Sequence, residues 1–253
     1  IVNGKIFIGT NNNANHRPGI TGDKGVILAL DEKRGKVLWQ MTHDKMPTGR
    51  VNDWPEQGIC SSPAVVGDRM YYVSNRCELV CADVEGFLDG ENDGPYKDEK
   101  YNEKEDGDIV WLVDMFDTLE AFPHNLATAS PIVVDDLVFV LTSNGVDEGH
   151  LNVPNPDAPD FIAVNRHTGE VVWEAFDVGE KVLHGQWGSP AYGVIDGTPQ
   201  VVFPGGDGWL YSFRADRWKD GKPELLWKFD CNPKTSKWIL GGRGTRNNIV
   251  AYP

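Results

Sequence analysis

Short apolar runs of five to seven residues recur along the whole chain, separated by Gly, Asp and Asn turns. "KIFIGTN", "MYYVSN", "VFVLTSN" and "VVFPGGDG" form one series, and "ILALDEKRGK", "LVCADVEG", "IAVNRHTGE" and "LYSFRADRWKDGK" form another. Within each run β-branched and aromatic residues fall at alternating positions, the two-residue period of a strand with one or two buried faces. No useful window sustains the 3.6-residue period of an amphipathic helix. The pattern predicts an all-β protein built from many short antiparallel strands.

Two further series complete the repeat. An apolar-apolar-Trp signature occurs in "KVLWQ", "DIVWL", "EVVWE" and "ELLWK", at Trp39, Trp111, Trp173 and Trp227. A proline signature occurs in "SSPAVV", "ASPIVV", "GSPAYG" and the final "AYP", at Pro63, Pro131, Pro190 and Pro253. Four elements in one order, four times over, predict four-stranded antiparallel sheets. A sheet of this size cannot bury both faces alone, and radial stacking against its neighbours solves the problem: a β-propeller. The tryptophans are expected at equivalent fourth-strand positions, supplying apolar area between adjacent blades.

The chain is read as one propeller domain, 1–253, with units of about 1–58, 59–122, 123–182 and 183–253. It is read as opening in mid-strand, with no secretory leader in this stretch, and Ile1 falls in register with Val65. The expectation is therefore about four blades of a larger six- to eight-bladed ring. Residues 84–107 and 145–159 are insertions rich in Gly, Pro and acids, and are expected as loops on the faces, where function resides.

Composition narrows the partners. A formal charge of −14 and a pI near 4.8 disfavour nucleic acid and anionic lipid, which require a basic face. No apolar run approaches the ~20 residues of a membrane helix. Cys60, Cys77, Cys81 and Cys231 are compatible with two disulfides or none, and their spacing matches neither CxxC nor a haem attachment motif.

"LALDEKRGKVLW" and "IAVNRHTGEVVW" resemble the repeat of the PQQ-like β-propeller family, which includes quinoprotein alcohol dehydrogenases and non-enzymatic outer-membrane assembly propellers. "GRVNDWPEQGICSSP", "VSNRCELVCAD", "FPHNLATASP" and "GGDGWLY" are similar to PQQ-repeat proteins abundant in planctomycete-type bacteria. The resemblance implies an extracytoplasmic, periplasmic-type address and two functional classes. One is a binding or scaffold module whose partner is another protein or the rest of its own propeller. The other is a PQQ- and Ca²⁺-dependent dehydrogenase, or a propeller subunit of a larger redox complex.

By that resemblance, Asn144 in "LTSNG" stands where a calcium ligand would be, and His184 and Trp187 in "HGQWG" stand at the cofactor edge. The catalytic Asp of the dehydrogenases is replaced by Gly188, and "HNLATAS" lacks the tryptophan on which a quinone would stack. No adjacent cysteine pair is present. No catalytic residue is therefore assigned, with Asp147 and Glu148 the nearest substitute carboxylates. Asp89 and Asp93 in "DGENDG" form a second candidate metal loop, although its twelfth position is Lys100 rather than the glutamate of an EF-hand.

Overall fold

The computed structural model describes residues 1–239 and 244–253. Among these residues, fifteen strands form four antiparallel sheets in sequence order. The first blade has β1 (Lys5–Asn11), β2 (Lys24–Asp31) and β3 (Val37–Asp44). The second has β4 (Ala64–Val66), β5 (Arg69–Val73), β6 (Glu78–Asp83) and β7 (Ile109–Asp114). The third has β8 (Ile132–Val134), β9 (Leu137–Leu141), β10 (Phe161–Asn165) and β11 (Val171–Ala175), and the fourth β12 (Ala191–Ile195), β13 (Thr198–Pro204), β14 (Trp209–Lys219) and β15 (Lys222–Asp230). The short strands β4, β8 and β12 lie innermost, β8 in contact with both others. The expected all-β propeller is what forms, its first sheet with three strands rather than four. No main-chain hydrogen bond joins residues 1–8 to 249–253 among the described residues.

The tryptophan register holds in every blade. Trp39 pairs with Ala29, Trp111 with Cys81, Trp173 with Ala163 and Trp227 with Ser212, and in all four a β-bulge follows that pair at once. The bulge adds a residue to the outer strand and turns the ring toward the next blade. Phe7 on β1, Tyr71 on β5 and Phe139 on β9 meet Trp39, Trp111 and Trp173 at the same centroid distance, 5.9 Å. The indole N–H of Trp39 then donates to the Val84 carbonyl of the next blade, and that of Trp111 to the equivalent Arg166 carbonyl. Gly169, at φ +77°, makes this docking possible: a Cβ there would lie 3.0 Å from the Trp111 ring.

The core follows these seams. One apolar cluster fills the space between blades 1 and 2 around Trp39, Met70 and Tyr72; a larger one runs through blades 2, 3 and 4 around Trp111, Phe139, Trp173 and Phe213. The proline series has a polar counterpart that ties the inner edges. The Ser62 N–H donates to the Ser130 hydroxyl and the Ser130 N–H to the Ser189 hydroxyl, both at 2.9 Å. The serines before Pro63, Pro131 and Pro190 thus form rungs between consecutive blades.

The 84–107 insertion folds back over the first blade. Its Glu105 carbonyl accepts the Gln40 N–H and its Gly107 N–H donates to the Gln40 carbonyl, covering the outer edge of β3. Asp106 is gripped by both arms of Arg17 at 2.8 and 2.9 Å. A free strand edge is thereby paired rather than left to recruit another chain. All four cysteines are free thiols, Cys77 and Cys81 buried, Cys60 and Cys231 exposed. No helix among the described residues is long and apolar enough to cross a membrane.

Candidate functional site

Each segment that links one blade to the next runs from the outer strand back to the inner one, so successive links lie side by side on one face. They are stitched by main chain and side chain alike. The Asn125 N–H donates to the Val51 carbonyl, the Trp54 N–H to the Asn125 carbonyl, and the Asn52 side-chain amide to the Pro123 carbonyl. One blade further, the Trp187 indole donates to the His124 carbonyl at 3.2 Å. This geometry brings His124 and His184, from equivalent links, within reach of one another.

The 145–159 loop supplies a third histidine. Gly145 allows it to pack this closely, since a Cβ at that position would stand 2.8 Å from His124 Cβ and 3.0 Å from the His184 carbonyl oxygen. The Val146 N–H donates to the His184 carbonyl, and the Val146 carbonyl bonds His124 Nδ1 at 2.9 Å. Beyond it, Asp147 accepts the Leu151 N–H and the Asn152 side-chain amide, closing a tight turn. His150 sits in that turn at φ +58°, a left-handed conformation uncommon outside glycine.

Three imidazoles thus converge. Ring centroids are 4.5 Å apart for His124–His150 and His124–His184, and 4.7 Å for His150–His184. His150 Nε2 and His184 Nε2 are 2.9 Å apart. One ring nitrogen from each residue lies within 4.8 Å of the other two. His124 is buried, and its Nε2 has no hydrogen-bond partner among the described residues. Trp187 closes one side, edge-on to His184 at 4.7 Å. Burial pushes the His184 imidazole down to about 4, the neighbouring imidazoles adding to the effect. Burial also lowers His124, against the opposing bond to Val146. Both rings are therefore neutral at pH 7, with a lone pair to offer.

Of the residues singled out from the sequence, His184 and Trp187 fall in this cluster. Asn144 lies in the same frame but serves as a tie: its side-chain oxygen accepts the Phe122 N–H and its amide donates to the Asn155 carbonyl. At Gly188, a Cβ would meet Pro204 Cγ at 2.4 Å, so a carboxylate side chain there would require Pro204 to shift. Glu148 is paired with Arg50 at 2.6 Å. This arrangement does not fit a calcium–quinone site centred on Asn144. Asp89 and Asp93 lie apart, in the insertion of the second blade. Asp93 pairs with Arg69 at 2.7 Å, and the exposed Asp89 accepts the Glu91 N–H. Sequence reasoning missed His124 and His150. The available signal was positional: His124 and His184 precede Pro131 and Pro190 by seven and six residues, so the repeat itself aligns them.

The comparisons with known proteins agree with the fold. Residues 11–87 match the family model described as PQQ_2, outer membrane protein assembly factor BamB. No curated protein sequence matches the chain significantly. Among solved structures, a europium-containing methanol dehydrogenase is similar at 14% identity over 99% of this chain and 43% of its own, with a TM-score of 0.52. Chaetomium thermophilum Sqt1, solved bound to the N-terminus of a ribosomal protein, is similar at 13% identity over 98% of this chain and 48% of its own, with a TM-score of 0.53. BamB from Moraxella catarrhalis is similar at 14% identity over 88% of this chain and 51% of its own, with a TM-score of 0.42. The chain thus spans about half the length of these structures. Residues 11–87 carry the PQQ-like repeat expected from the sequence, and the chain as a whole has the β-propeller fold.

Proposed function

We propose that this chain is an extracytoplasmic, PQQ-like propeller module that binds another protein or the remainder of its own ring, as a scaffold rather than as a catalyst. The observation that carries this reading is the free face of the fourth blade. Trp39, Trp111 and Trp173 are 0%, 4% and 1% exposed, whereas Trp227, at the same register position, is 36% exposed and Phe229 beside it 61%. A tryptophan at the docking register with no blade packed over it among the described residues is a surface prepared for another sheet.

The test is a photo-crosslinking amino acid placed at position 227 of the protein in its native host, with position 173 as the internal control. A single recurrent adduct at 227, mapped to a β-rich segment, is expected, with none from outside the chain at 173. If position 227 crosslinks only to solvent quenchers, the scaffold reading fails. The fold likeness to a methanol dehydrogenase supports a second reading, a quinone-dependent dehydrogenase, and the side-chain-free Gly188 counts against it. Dye-linked alcohol oxidation after reconstitution with PQQ and Ca²⁺ would promote that second reading.

A further inference from the structure

We propose that His124, His150 and His184 form a binding site for a divalent transition metal of the zinc type, with three imidazole ligands and one position left to an exchangeable ligand. The proposal is independent of what the fourth blade binds.

The donor set decides the class of metal. Imidazole nitrogen suits zinc, copper and nickel, whereas calcium and magnesium require oxygen ligands. Three histidines with a fourth position open is an arrangement that zinc accepts, at N–metal distances of about 2.0–2.1 Å. Two nitrogens on a tetrahedral ion at that distance are roughly 3.3 Å apart. The His150–His184 nitrogen pair stands at 2.9 Å and the whole set falls within 4.8 Å, so small ring rotations suffice to close on an ion.

The surroundings support ligation over simple stacking. His124 Nδ1 is bonded to a backbone carbonyl, which assigns the proton to that nitrogen and aims the lone pair of Nε2 into the cluster. Such a carbonyl contact is what orients and strengthens a metal-bound histidine. The same Nε2 is buried without a hydrogen-bond partner among the described residues, a cost that a metal ion would remove. The left-handed backbone of His150 is a second cost, met by the Asp147 turn that presents the ring. Each ligand comes from a different segment: the link between blades 2 and 3, the insertion of blade 3, and the link between blades 3 and 4. A bound ion would cross-brace these segments.

The experiment uses the intact protein without an affinity tag, stripped with chelator and titrated with Zn²⁺ by calorimetry and with Co²⁺ by visible absorption. One equivalent of Zn²⁺ is expected, undisturbed by a thousandfold excess of Ca²⁺, and Co²⁺ is expected to give the intense visible bands of a four-coordinate ion. Added azide should shift those bands, because the fourth position exchanges. His150→Ala, in the loop, should weaken Zn²⁺ binding at least 100-fold and abolish the cobalt bands while leaving the far-ultraviolet circular dichroism unchanged. Trp187→Phe should retain the metal. Failure to bind a stoichiometric ion overturns the proposal, as does binding that survives His150→Ala unchanged.

Discussion

Trp173 and Trp227 occupy one register position in adjacent blades, each opposite a small residue and each followed by a bulge, yet their surroundings differ completely. Trp173 is enclosed by Phe139 from its own blade and by Phe203 and Phe213 from the next, at 5.9–6.1 Å. Trp227 has Val202 where the other blades place Phe7, Tyr71 or Phe139, and Ser212 where they place Ala29, Cys81 or Ala163. Its N–H is satisfied inside its own sheet by Gln200, which also accepts the Ser212 hydroxyl. The repeat therefore sets position and register, and the neighbouring blade sets the energetic worth of the residue placed there.

The sharpest way to break the comparison is to truncate the buried member. Trp173→Ala is expected to cost about 3–5 kcal/mol, the range for emptying a buried aromatic site. Urea denaturation followed by far-ultraviolet circular dichroism measures it. A cost below about 1 kcal/mol would mean that the seam between blades 3 and 4 is not packed as described.

A second prediction sets two polar sites against each other through pH. Between blades 1 and 2, Glu78 is pushed up by burial but held overall at about 2, because His43, Ser74 and Arg76 outweigh that push. Its folded value lies below its unfolded one, so its contribution is present above roughly pH 4.5 and is lost as pH falls toward 2. At the link from blade 3 to blade 4, Asp160 is raised by burial to about 7, although it accepts the Val178 and Gly179 N–H groups and the Gln186 amide. Here the charged form is the disfavoured one in the fold, so stability rises as pH falls from 7 toward 4. The denaturation midpoint should thus climb on mild acidification and drop steeply below about 4.5. Glu78→Gln should flatten the acid drop and leave the upper limb unchanged; a profile identical to wild type would remove Glu78 from the account.

Much of this was legible in the chain and some was not, for physical reasons. The tryptophan and proline series reported blade number, strand order and register because burial between sheets imposes the same demand at each repeat. The serine rungs stood in the same motif, unread, because a hydroxyl that accepts a bond from the next blade has no local signature. His184 and Trp187 were visible through their motif. His124 and His150 were not, because their significance arises only when two links and a loop converge across a large separation in sequence. Asn144 shows the converse: its motif singled it out as a ligand position, whereas in the fold it bridges to Pro123 and the oxygen that made it resemble a ligand accepts the Phe122 N–H.

The smallest expected effect completes the comparison. Trp227→Ala removes a side chain that is already 36% exposed and whose indole hydrogen bond lies within its own sheet. The loss of apolar burial is partial, and Gln200 keeps the Ser212 hydroxyl as a partner. The expected cost is less than about 1 kcal/mol, because partly exposed positions away from the core contribute little. The same urea experiment used for Trp173→Ala measures it, and the contrast between the two substitutions is what matters. If Trp227→Ala instead costs as much as Trp173→Ala, the fourth-blade face is covered in solution, and the tryptophan is docked there as its three counterparts are.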